Sequence, residues 1–106
     1  MVLYNRERTK ENVIAISTRD KLEERLRRTP TPSDITFEEF VLFLKHNGFS
    51  EQTGRSGHYV YGCNFGSRTY LIAFAKPHDP TKYMKRNYIR KAIDVIDGMK
   101  SRSEME

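Results

Sequence analysis

Between Ile35 and Gly48 the sequence specifies one helix from its cap to its stop. Thr36 followed by Glu39 is a capping box, in which each side chain takes up a backbone N–H that the first turn leaves free. Ile35 and Phe40 hold the two positions of a hydrophobic staple across that cap. Phe37, Phe40, Val41 and Leu44 then recur at i, i+3, i+4, i+7, the spacing of one buried helical face, and Leu42 and Phe43 widen it. Asn47-Gly48 supplies a residue suited to the left-handed conformation that ends a helix. A helix with one apolar stripe needs a second layer to bury it, and the rest of the chain must provide that layer.

From Phe49 the period changes. Phe49 to Thr53 reads as a short strand, Gly54-Arg55-Ser56-Gly57 as a turn, and His58 to Cys63 as a strand rich in β-formers. Asn64-Phe65-Gly66-Ser67 is a second turn and Thr69 to Phe74 a third strand. Tight turns joining consecutive strands give an antiparallel meander. Two prolines between Lys76 and Lys82 exclude regular structure there. A last helix is expected from about Met84 to Met99, with Tyr88, Ala92, Val95 and Met99 in one row and Ile89, Ile93 and Ile96 in another. Residues 99–106 read as a flexible polar tail.

The order is therefore α-β-β-β-α over residues 34–98, an α+β domain. Its three-stranded antiparallel sheet is expected to carry both helices on one face, burying Phe40, Leu44, Ile89 and Ile93 and leaving the other face free. In the second strand both Val60 and the Tyr59/Tyr61 pair make acceptable core rows, so the sequence leaves open which face His58 occupies.

Thr29-Pro30-Thr31-Pro32-Ser33 separates this domain from what precedes it, because each proline lacks an N–H and pushes its predecessor out of the α region. Residues 1–33 read as an N-terminal extension, partly helical over 17–29, with Ser17 and Asp20 as a weak capping pair. Leu22 and Leu26 make only a thin stripe, so this helix is expected to lean on the domain rather than belong to its core. Val13 to Ile16 fits either an added edge strand or a helix start.

A chain of 106 residues has room for one domain. It carries 37% hydrophobic and 31% charged residues, with six Tyr and six Phe, too aromatic for a disordered chain. The net charge of +5 favours polyanionic partners, because neutralising phosphates releases condensed counterions. The single cysteine, Cys63, excludes an internal disulfide and fits a reducing compartment. No apolar run approaches the ~20 residues of a membrane span. Met1 to Lys10 lacks the apolar core of a signal peptide. A cytoplasmic protein with no membrane association is expected.

Few residues can do chemistry. No Gly-rich phosphate loop with a following Lys-Ser/Thr pair is present, and no carboxylate pair has a spacing that suggests two-carboxylate catalysis. Three histidines and Cys63 match no zinc-finger spacing, so no metal and no cofactor is expected. Cys63 is an odd number of residues from His58, which on one strand puts the two on opposite faces and works against a Cys–His pair. His78, between Pro77 and Asp79-Pro80, is suited to binding phosphate or to holding the loop by hydrogen bonds, and the loop-holding role is the preferred one. His58 stands after a glycine-bearing turn that lets a polyanion backbone approach, with Arg55 nearby as a phosphate contact. An imidazole, whose ordinary pKa is about 6.5, can accept or donate a proton at cellular pH, as metal-free RNA cleavage requires. An exposed histidine with no task is the alternative.

Four segments resemble one family. They are Leu44-Lys45-His46-Asn47-Gly48-Phe49, Gly54-Arg55-Ser56-Gly57-His58-Tyr59-Val60-Tyr61, Ala75-Lys76-Pro77-His78, and the basic helix Lys85-Arg86-Asn87-Tyr88-Ile89-Arg90-Lys91-Ala92-Ile93. Over residues 34–98 the chain resembles the HicA-type toxins of bacterial toxin–antitoxin pairs, small ribonucleases with a fold like the double-stranded-RNA-binding domain. The resemblance implies a metal-independent endoribonuclease acting on mRNA, silenced by a HicB-type antitoxin. Ser56-Gly57-His58 matches the last three positions of the family's Gly-Ser-x-His motif, which assigns His58 as the catalytic acid–base residue. Arg55 stands where the family has glycine, and Gly57 where many members have a further histidine. In this reading Arg55, Ser56, Gly57 and Lys76 hold the phosphate, while Lys85, Arg86, Arg90 and Lys91 add a diffuse field. A non-catalytic RNA-binding module and a partner-docking domain are the competing functions.

Overall fold

The computed structural model describes residues 19–55, 57–78 and 82–105 of the protein. The apolar stretch at 13–16, read as an edge strand or a helix start, the Ser17 cap and Ser56 lie outside them. A short helix, α1, covers residues 19–26. It is followed by α2 (Phe37–His46), β1 (Ser50–Arg55), β2 (His58–Phe65), β3 (Arg68–Ala75) and α3 (Arg86–Met105). The strands form one antiparallel sheet in the order β1-β2-β3, so the chain has the α+β architecture its sequence predicts.

Helix α2 forms as its signals dictate. Thr36 accepts from the Glu39 N–H and Glu39 accepts from the Thr36 N–H, closing the capping box. At the other end Gly48 has φ +89, Phe49 N–H donates to the Leu44 carbonyl, and Gly48 N–H to that of Lys45. This paired bonding satisfies carbonyls that the last turn would leave free. Phe40, Phe43 and Leu44 are buried. Leu42 does not join them: it is 45% exposed, because two residues beyond Phe40 it falls off the stripe.

Tyr59 and Tyr61 of β2 face the helices together with Ile72 and Phe74 of β3, while Val60, Leu71 and Ala73 face away. Phe40 meets Phe74 edge to face at 4.9 Å, and Phe37 lies 5.2 Å from Tyr59. From α3, Ile89, Ala92, Ile96 and Met99 complete the core. Both helices thus cover one face, which decides between the two rows the sequence allows.

Three boundaries differ from expectation. β1 continues through Gly54-Arg55, which were expected in a turn. A register shift between Glu51 and Gly54 accommodates extra chain as a bulge and lets pairing resume at Gly54↔Tyr59. Pairing of β2 with β3 runs on to Phe65↔Arg68, so their turn shrinks to Gly66-Ser67, with Gly66 at φ +66. Helix α3 starts at Arg86 and passes through Gly98 to Met105, where a tail from residue 99 was expected. A glycine costs a helix only about 1 kcal/mol. Met99, just beyond it, is 1% exposed, and Lys100 Nζ lies 3.4 Å from Asn47 Oδ1.

Helix α1 also corrects an expectation. It does not merely lean on the domain, because Leu26 is 0% exposed within the main core. Around it Arg27 donates twice to Asp97 of α3, at 2.8 and 3.1 Å. Arg25 pairs with Glu39 of α2, and Asn47 donates to Glu23. These contacts shift the carboxylates. The hydrogen bond from Arg27 holds Asp97 below the ordinary range. Burial would push Glu39 up, but hydrogen bonds from Arg25 and the Thr36 N–H outweigh it and hold Glu39 low as well. Among the described residues no helix is long and apolar enough to cross a membrane.

Two outcomes are expected. Leu26→Ala should lower unfolding free energy by ~2–5 kcal/mol in urea titrations. Arg27→Ala, which breaks a pair whose partners are 30% and 54% exposed, should cost at most ~1 kcal/mol. A carboxylate with a depressed folded pKa stabilises the fold above the ordinary value of about 4, and that stability is lost as pH falls through the folded value. The melting midpoint should therefore stay level at neutral pH and drop below about pH 4, less steeply in Asp97→Asn and Glu39→Gln.

Candidate nucleic-acid interface

His58 opens β2 and is exposed. The register pairs it with Arg55 on one side and Ala75 on the other. Because residues 59, 61 and 63 lie on the helix-covered face, His58 lies on the open face and Cys63 on the opposite one. The half-buried Cys63 Sγ sits 3.8 Å from the Asn64 carbonyl, away from any histidine of β2.

Gly57 precedes His58 with φ +77, a left-handed backbone that residues with a Cβ rarely adopt. Its carbonyl accepts a 2.9 Å hydrogen bond from the Lys76 N–H. The ladder between β2 and β3 thereby continues one step past its last strand pair. This bond fixes the start of β2 against the segment that leaves β3.

An open cleft of about 320 Å³ lies at that junction, lined by Gly57, His58, Ala75, Lys76, Pro77 and His78. A second, of about 240 Å³, shares Ala75, Lys76, Pro77 and His78 and continues to Lys82, Tyr83, Lys85 and Tyr88. The two clefts adjoin along the shared Ala75–His78 segment and are together called the groove. No carboxylate lines it among the described residues. Three lysines interleaved with two tyrosines give it cations for phosphates and rings for bases to stack on.

Lys76 Nζ stands 5.1 Å from the centroid of the Phe37 ring. Such an exposed cation–π contact is worth ~0.5–1 kcal/mol. A hydrogen bond from a cation to a phosphate is worth ~1.5–3 kcal/mol, so a bound phosphate would draw the ammonium away.

The described residues predicted from sequence separate into three groups. Gly57, His58, Lys76 and Lys85 line the groove. Arg86, Arg90 and Lys91 are exposed on α3 but outside the lining. Arg55 is placed by register beside His58. Lys82, Tyr83 and Tyr88 line the groove and were not predicted to, and His78, expected to hold the loop rather than to bind phosphate, lines it as well. The run Lys82-Tyr83-Met84-Lys85 sets two cations beside a ring and signals Lys82 and Tyr83. His78 enters because the strand pairing brings residue 75 opposite residue 58.

No family model, curated protein or solved structure matches the chain.

The left-handed turn gives a direct check. A Cβ added at Gly57 would meet nothing within 4 Å, so its cost is conformational alone. Gly57→Ala should lower stability by ~1–2 kcal/mol in denaturant titrations and shift the amide resonances of His58 and Lys76.

Proposed function

We propose that the protein is a metal-independent endoribonuclease, with His58 as a general acid or base at the mouth of the basic groove. The observation that supports this reading is the position of His58. It is exposed on the helix-free face, next to a glycine that leaves the backbone bare, in a groove with lysines and no carboxylate among its described residues. A single-stranded RNA laid along the groove would place phosphates on Lys76, Lys82 and Lys85 and bases against Tyr83 and Tyr88. His58 would then face the ribose-phosphate link. Proton transfer there lets the substrate's own 2′-hydroxyl attack the phosphorus, leaving a 2′,3′-cyclic phosphate.

The resemblance of residues 34–98 to HicA-type toxins extends this reading. The chain would be the toxin of a type II toxin–antitoxin pair in the bacterial cytoplasm, cutting mRNA and held silent by a HicB-type antitoxin. It would need neither cofactor nor membrane. A reading frame for such an antitoxin beside the gene would support the pairing. The exposed cations Arg86, Arg90 and Lys91 favour a second reading, an RNA-binding module without catalysis, since they would draw a polyanion to α3 whether or not His58 reacts.

Purified protein with single-stranded RNA, in the presence of a chelator, separates the two. Wild type should yield fragments ending in 2′,3′-cyclic phosphate. His58→Ala should cut at least ~10²-fold more slowly while binding with near wild-type affinity. Intact RNA after long incubation with wild type, or equal cutting by His58→Ala, overturns the catalytic reading. Lys76→Ala should flatten the plot of log affinity against log salt by ~0.7, the slope that one neutralised phosphate of a single strand carries.

A further inference from the structure

We propose that His78 is the second catalytic residue of the site, the acid–base partner of His58; this rests on the ribonuclease reading above. The observation is that His58 and His78 both line one cleft of about 320 Å³. They are twenty residues apart in sequence, and both are exposed. His58 comes from the start of β2 and His78 from the segment after β3. The Lys76 N–H to Gly57 carbonyl bond, at 2.9 Å, holds those two segments together. Pro77 stiffens the link from Lys76 to His78, because its ring locks φ.

The chemistry calls for two such groups. In cleavage through the 2′-hydroxyl, the attacking and leaving oxygens stand on opposite sides of the phosphorus. A neutral imidazole takes the 2′-hydroxyl proton as the 2′-oxygen bonds to phosphorus. As the phosphorus–5′-oxygen bond breaks, an imidazolium gives its proton to the 5′-oxygen. The products are a 2′,3′-cyclic phosphate and a free 5′-hydroxyl. Protons balance between the two rings, no electron is transferred, and no co-reactant enters. One ring cannot reach both oxygens in one in-line step, whereas two rings lining one cleft can flank the phosphate.

Among the described residues the other titratable groups lining the groove are Lys76, Lys82, Lys85, Tyr83 and Tyr88. The lysines favour a bound phosphate. One ring of each kind at working pH gives the bell-shaped rate profile of an acid–base pair.

The test uses the full chain, a 5′-labelled single-stranded RNA that wild type cuts, and the same RNA with sulfur replacing the bridging 5′-oxygen at the cut site. A thiolate leaves without a proton, so the sulfur substrate needs a base but no acid. Wild type should show a bell-shaped profile between about pH 5 and 9. His78→Gln and His58→Ala should each cut the oxygen substrate at least ~10²-fold more slowly and each lose one limb. The sulfur substrate should restore cleavage to one variant, the one lacking the acid, and not to the other. His78→Asn should behave as His78→Gln, and all variants should melt with wild type because the residues are exposed.

Cutting by His78→Gln within threefold of wild type, with both limbs intact, overturns this assignment and leaves the ribonuclease reading standing. So does rescue of neither variant by sulfur. No cutting by wild type overturns both.

Discussion

The antiparallel register between β2 and β3 is the constraint on which the rest of the molecule depends. It runs without a break from His58↔Ala75 to Phe65↔Arg68. Side chains alternate along a strand, so a slip of one residue would send the whole row to the other face. In the register observed, Tyr59 stacks on Phe74 with centroids 5.8 Å apart and planes 17° from parallel. Phe37 and Phe40 descend on that pair from α2. Aromatic pairs of this kind add ~0.5–1.5 kcal/mol each beyond the area they bury. The same register sets His58 and Ala75 on the side with no helix, so the packing of the core and the exposure of the site have one cause.

Whatever fixes the sheet also fixes the groove. The bond from the Lys76 N–H to the Gly57 carbonyl belongs to the ladder by geometry, though neither residue lies within a strand. It lets a loop residue inherit the order of the sheet.

Legibility in the sequence tracks how local the cause is. The ends of α2 can be read because Thr36 with Glu39, and Asn47 with Gly48, act within a turn of themselves. The far end of β1 cannot, since the bulge after Glu51 answers to β2. Gly98 is a local stop that burial of Met99 overrides. Leu26 looks like half of a thin stripe because the partners that make it core lie in α2 and α3. In the candidate site His58 stands out beside its glycine. The sequence shows His78 only as a loop residue or a phosphate contact, because the pairing of distant strands is what brings it to the same cleft. The face of His58 is undecidable from its own strand, where two rows compete, and is settled by which row meets Phe74.

The tie between Arg27 and Asp97 spans seventy residues. Leu26 shares its cluster with Ile96 and Met99, so the seat for α1 is assembled from both ends of the described chain. Contacts this distant in sequence form late, because the loop they close must lose its entropy first. On the ribosome, α1 emerges long before its seat exists. Closure waits until α3 has left the exit tunnel, a natural delay between making the strands and locking the fold around them.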